Sequence, residues 1–297
     1  MKGKVKKMPD NSRAINRVFT RNVISGLLRD GKNEIYDYVI SRYVNDPENK
    51  THGDIISDIY ACLGKEKRNE YYYTNTLLNN LLVEKHDVSN TAVLSQVHIG
   101  SSIADFIMIN GEGNIYVYEV KSELDNFDRL ADQLRDYYKA FNKVSVLTSE
   151  RELYKVEQIL SSLGDMGQAV GICILSPNDT ISHEYSRIPE DFTNYLDYNC
   201  IFKLLRKREY ENVLKIQFGE IPQVEPVFHF KECFEKFKQI PIDAAQDLTF
   251  KELKKRNKIT KTEFENIKTE LKAVVYFSEL SRNLQALEQL LQSNYRR

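Results

Sequence analysis

Between Ile103 and Tyr138 the chain reads IADFIMINGEGNIYVYEVKSELDNFDRLADQLRDYY, and no other run constrains the fold as much. Two β-branched and aromatic segments flank Asn110-Gly111, a strong short-range hairpin signal. Leu130, Leu134 and Tyr138 then recur at helical spacing. A buried strand should stay apolar to its end, yet the second segment closes on Glu119-Val120-Lys121. Side chains two apart on a strand share a face, so Glu119 and Lys121 point the same way. A catalytic site accounts for that placement.

Loop length decides what Asp105 meets across the hairpin. A three-residue loop, Gly111-Glu112-Gly113, pairs Asn110 with Asn114 and puts Asp105 opposite Glu119. A two-residue loop pairs Asp105 with Tyr118 and turns Glu119 to the other face. Only the first gathers the acidic groups. Two carboxylates forced together repel unless a cation lies between them. Magnesium (or manganese) suits such a pair, because it takes hard oxygen ligands from one or two carboxylates plus waters and a substrate phosphate. Asp105 and Glu119 would be its ligands, and Lys121 would orient water or offset charge on a phosphoryl group. The plainer account is a salt-bridged Glu–Lys pair at a strand end. The spacing alone is uninformative, since Glu48–Lys50, Glu252–Lys254 and Glu270–Lys272 repeat it in expected loops or helices.

Around this run the pattern predicts helices over residues 14–45, His52–Leu63 and Asn69–Lys85. Strands follow at Ala92–Ile99, Ala104–Ile109 and Asn114–Val120, then a helix over Asp125–Phe141. A strand at Val144–Thr148, a helix at Glu152–Leu163 and a strand at Ala169–Leu175 complete the series. The order is that of an α/β fold with helices on a mixed sheet. Beyond residue 187 the chain reads as mostly helical, with a helix over Phe192–Leu214. Thr249-x-x-Glu252 and Thr260-x-x-Glu263 have the form of capping boxes, each opening a segment of a helical pair that ends near Leu291. Asp125 and Arg129, four apart, are expected to form an intrahelical ion pair. The expected division is a basic tail with a helical segment at 1–49, a core at 50–187 and a helical region at 188–297.

Gln133 and Tyr137 stand one helical turn apart on one face. With them the chain resembles the PD-(D/E)XK nuclease superfamily, especially its RecB-like branch. The closer resemblance is to a little-characterised bacterial and phage family within it. That family carries Asp, then Tyr-Glu-[Ile/Val]-Lys-Ser-[Glu/Asp]-x-Asp-x-x-x-Arg-Leu-x-x-Gln-x-x-x-Tyr. Here these are Asp105, Tyr118-Glu119-Val120-Lys121-Ser122-Glu123, Asp125, Arg129-Leu130, Gln133 and Tyr137. The resemblance implies a restriction-endonuclease-like αβββαβ core with N- and C-terminal helical extensions. It also implies a magnesium-dependent phosphodiesterase acting on DNA, with Asp105 and Glu119 as metal ligands and Lys121 as catalytic lysine. Gln133 and Tyr137 would support the site. Such folds often add a Glu from the preceding helix, here Glu70, with Glu84 as the alternative. Ala104 replaces the superfamily's Pro before Asp105, which leaves the ligand untouched.

Balanced charge, with 42 Lys and Arg against 43 Asp and Glu, argues against broad electrostatic gripping of nucleic acid. The rival reading is therefore a nuclease-fold binding or scaffolding module, working with a partner in a phage-defence or mobile-element setting. The basic runs MKGKVKK and KELKKRNKITK read as a solvated tail and helix face. Leu284, Leu287, Leu290 and Leu291 would serve a homo-oligomer or, more commonly, internal packing. Four scattered cysteines read as reduced buried thiols. With no secretory signal and no apolar run of membrane-spanning length, a cytoplasmic location is expected. Glu119→Ala is expected to abolish metal-dependent cleavage and leave the fold intact.

Overall fold

A computed structural model describes residues 11–66, 68–85, 88–181, 187–256 and 259–296. The chain divides into two compact units, Met1–Asn79 with Lys261–Arg297, and Asn80–Thr260. These limits differ from the boundaries expected at 49/50 and 187/188. The tail MKGKVKK lies outside the described residues.

The first unit is helical. It holds α1 (Asn11–Val18), α2 (Arg21–Asp30), α3 (Glu34–Tyr43), α4 (His52–Glu66) and α5 (Glu70–Asn79), joined by α13 (Lys261–Asn266), α14 (Lys272–Tyr276) and α15 (Leu284–Gln292). One buried amide explains why segments so distant in sequence meet. Asn75 on α5 donates to the Tyr60 hydroxyl and to the Thr269 carbonyl, each at 3.0 Å, and accepts from Ala273 N at 2.9 Å. The last residues lie along the start of α4, where Tyr295 N donates to Lys50 O and His52 N to Ser293 O. Leu287 of α15 is buried against this unit's own helices, while Leu284, Leu290 and Leu291 are half-buried.

The second unit is α/β. Its mixed sheet has the order β1 (Ala92–Ile99), β2 (Ser102–Ile109), β3 (Ile115–Val120), β4 (Val144–Ser149) and β5 (Gly171–Leu175). The first three strands are antiparallel, and β3, β4 and β5 are parallel. Parallel neighbours need crossovers, which α6 (Leu130–Tyr137), α7 (Leu153–Ser161) and α8 (Gly164–Ala169) supply. Four further helices follow: α9 (Tyr198–Lys203), α10 (Lys207–Phe218), α11 (Pro226–Phe237) and α12 (Ile242–Lys254). They share one apolar core with the sheet and α6. Phe250 of α12 stacks on Phe141 at 5.6 Å between centroids, and Gln246 donates to the Ala140 carbonyl at 2.8 Å.

The β2–β3 loop has three residues. Ile109 pairs with Ile115, Asn110 N donates to Asn114 O, and the Asn110 side chain accepts from Glu112 N and Asn114 N. Gly113 closes the loop at φ 88°, a left-handed value that suits glycine.

Several expected elements are corrected. The helix over Asn69–Lys85 is α-helical only to Asn79, and Asn80–Lys85 is a π-helix. That over Asp125–Phe141 shrinks to Leu130–Tyr137, because Asp125 turns back to accept from Ser122 N and Oγ at 2.7 and 2.6 Å. Its expected pairing with Arg129 across a helical turn therefore does not form. The last strand begins at Gly171, since residues 164–169 are helical. The stretch 192–214 holds α9 and most of α10 rather than one helix. Thr249 caps nothing; it lies inside α12 and donates to Ala245 O, four residues back. The segment after Thr260 does begin a helix, but short helices rather than a single long one carry the chain to Gln292. All four cysteines are free, three of them buried.

Candidate active site

Five of the expected residues meet at one end of β3. The antiparallel register places Phe106 opposite Tyr118, and one step further brings Asp105 opposite Glu119. There the ladder gives way to a side chain, as Val120 N donates to Asp105 Oδ2 at 2.9 Å. Asp105 is half-buried, whereas Glu119 is 1% exposed and Lys121 7%. Hydrogen bonds hold the Lys121 backbone on both sides: its N donates to Leu147 O, and its carbonyl accepts from Thr148 Oγ1, each at 2.8 Å.

Helix α6 completes the cluster. Lys121 Nζ lies 2.9 Å from both Glu119 Oε1 and Gln133 Oε1. The Gln133 amide nitrogen donates to Glu119 Oε1 at 2.5 Å. Its amide thus turns oxygen to ammonium and nitrogen to carboxylate, the only orientation that pairs donors with acceptors. One turn on, the Tyr137 hydroxyl stands 2.5 Å from Glu119 Oε2 and 2.8 Å from Ile103 O. That hydroxyl has one proton for two acceptors. The Glu119 carboxylate and the Ile103 carbonyl therefore share it, with Tyr137 as the donor to both. Burial pushes the Glu119 carboxyl above its ordinary value, against the opposing pull of Lys121, Tyr137 and Gln133. Burial, reinforced by the Glu119 charge, drives the Tyr137 phenol far above its ordinary range, so it stays a donor.

Glu70 opens α5 in the helical unit, whereas the five gathered residues all belong to the sheet unit. Glu84 falls in the π-helical turn, and its side chain is outside the described residues. Among the described residues, no three His, Cys, Asp or Glu side chains are arranged as a metal cage. The donor set that does meet, two carboxylates with hard oxygens, still fits magnesium or manganese, which complete their shells with water and phosphate.

Asp136 has no place in the expected site, yet it fixes where α6 lies. It is 4% exposed; its Oδ2 accepts from Ser101 N, Ser101 Oγ and Ser102 Oγ at 2.8–2.9 Å, and its Oδ1 from Lys139 Nζ at 2.6 Å. These bonds pin the helix bearing Gln133 and Tyr137 to the β1–β2 turn. Gly100 permits the approach, since a Cβ there would stand 2.6 Å from Asp136 Oδ1. Burial raises this carboxyl, but the four donors outweigh it and hold it at about 2. A folded-state pKa below the unfolded one means stability present above pH ~4 and lost as pH falls toward 2. Asp136→Asn should therefore cost about 2–3 kcal/mol at pH 7. Urea titrations should show that difference shrinking between pH 4 and 2; a constant difference would refute the assignment. Asp136 sits in the sequence between Gln133 and Tyr137, but its spacing does not reveal a partner on another element.

Comparison with known families matches residues 64–281, more than half of the chain, to the family described as bacteriophage P4 protein cII. Comparisons with curated proteins and with solved structures give no match.

Proposed function

This chain belongs to the bacteriophage P4 protein cII family, and we propose that it acts as a magnesium- or manganese-dependent nuclease on DNA, built on a restriction-endonuclease-like αβββαβ core. One observation carries this reading: Glu119 and Lys121 leave the end of β3 on one face, with Asp105 opposite and Gln133 and Tyr137 both brought down on Glu119. Asp105 and Glu119 would hold the ion. When bound, the ion supplies polarisation of the phosphoryl group and activation of a water. Lys121 places an ammonium where negative charge develops during phosphodiester hydrolysis. Gln133 and Tyr137 hold the Glu119 carboxylate in one orientation, and Thr148 anchors the backbone of Lys121.

A second reading, a nuclease-fold binding or scaffolding module acting with a partner, is favoured by the engagement of both Glu119 oxygens by the protein's own side chains. The bacteriophage protein in the family's description agrees with a phage or mobile-element setting for either reading. The purified protein should be incubated with circular and linear DNA, single- and double-stranded, and with RNA, in magnesium, manganese or EDTA. Metal-dependent cleavage of DNA is the expected result. No cleavage under any of these conditions would favour the binding module, and cleavage of RNA alone would move the substrate class.

A further inference from the structure

We propose that Gln96 is a positioning residue for Asp105, serving that carboxylate as Gln133 serves Glu119. The inference rests on the nuclease reading and adds to it a residue outside the motif. Strands β1 and β2 pair at one constant offset, with Ser95 opposite Phe106 and Val97 opposite Ala104. The pair between them, Gln96 and Asp105, is missing from that ladder. Gln96 adopts φ 53° in mid-strand, left-handed backbone that an L-residue with a long side chain avoids.

The residue type is hard to justify structurally. Gln96 is exposed, so core packing does not demand it. If the chain merely needed a left-handed residue here, glycine or asparagine would be less strained. The distortion aims the Gln96 side chain at the site: its amide nitrogen donates to Asp105 Oδ1 at 3.4 Å, while Oδ2 accepts from Val120 N at 2.9 Å. Asp105 is thereby tethered to both neighbouring strands, one oxygen to each. Strain kept at a non-glycine residue beside a carboxylate that would hold a metal fits the clustering of such outliers at functional sites. The parallel with Gln133 is chemical, since each carboxylate receives one carboxamide N–H from a neighbouring element.

The test measures Mn²⁺ binding by titration calorimetry, and thermal melting, on the full chain. The variants are Gln96→Gly, which relieves the strain and removes the amide, and Gln96→Met, which keeps the length and removes only the amide. Glu119→Gln is the control. Both Gln96 variants should bind Mn²⁺ about 10- to 100-fold more weakly, while Gln96→Gly melts at or above the wild-type temperature. A structural role would not move affinity and stability in opposite directions. Unchanged Mn²⁺ affinity in both Gln96 variants, beside lost affinity in Glu119→Gln, overturns this inference alone. Absence of Mn²⁺ binding by the wild-type protein overturns the nuclease reading and this inference with it.

Discussion

Glu119→Gln should lower metal-dependent DNA cleavage by at least about a hundredfold and, because Lys121 loses its counter-ion while the hydrogen bonds remain, lower the melting temperature by less than Glu119→Ala does. The amide keeps the shape of the group it replaces. Its oxygen can still accept from Lys121 and Gln133, and its nitrogen can donate to Tyr137, leaving that hydroxyl to donate to Ile103. Only the negative charge goes, and with it the affinity of this ligand for a divalent cation. Lys121→Met should show a loss of about a hundred- to a thousandfold, because it removes the ammonium and keeps most of the stem. Parallel assays of both variants against wild type, with magnesium and with EDTA, read the effect directly. Cleavage at the wild-type rate by Glu119→Gln, in a preparation free of contaminating nuclease, would sink the assignment.

Burial changes the expectation for Glu119→Ala. The Glu119–Lys121 pair is nearly dry, so truncating one partner strands a charge with no counter-ion. Glu119→Ala should cost about 3–5 kcal/mol, which makes it a poor test of catalysis and a good test of the network. The paired replacement Glu119→Leu with Lys121→Met removes both charges, and should fall within about 1–2 kcal/mol of wild type. Urea unfolding of the three proteins, compared at unchanged slope, measures both quantities. A single-variant cost below about 1 kcal/mol would mean that water reaches the pair and that the site is not dry. A paired replacement as damaging as Glu119→Ala would show that the ion pair itself, rather than the penalty for breaking it, holds the fold.

The contrast between local and distant contacts explains what could be read beforehand. Turn chemistry at Asn110-Gly111-Glu112-Gly113 made the β2–β3 hairpin legible and left its register to one of two loop lengths, of which the three-residue loop puts Asp105 opposite Glu119. Gln133 and Tyr137 follow from helical spacing in the same way. The helix limits were less accessible. Asp125 could extend α6 or turn back to Ser122, and hydrogen bonds to Ser122 N and Oγ decided for the turn. Thr249 and Glu252 had the form of a capping box, but packing along α12 carried the helix through them.

What the chain determined by itself is therefore local: five strands in order, a hairpin at Asn110-Gly111, and Gln133 with Tyr137 on one face of a helix. Periodicity and turn geometry encode these over a few residues. Tertiary structure decided the rest. It put α9–α12 into the core of the sheet, tied α5 to α14 through Asn75, pinned α6 through Asp136, and bent β1 at Gln96. Each of these depends on residues far apart in sequence, or on a backbone strain that only surrounding contacts can sustain. Local propensity carries no record of either.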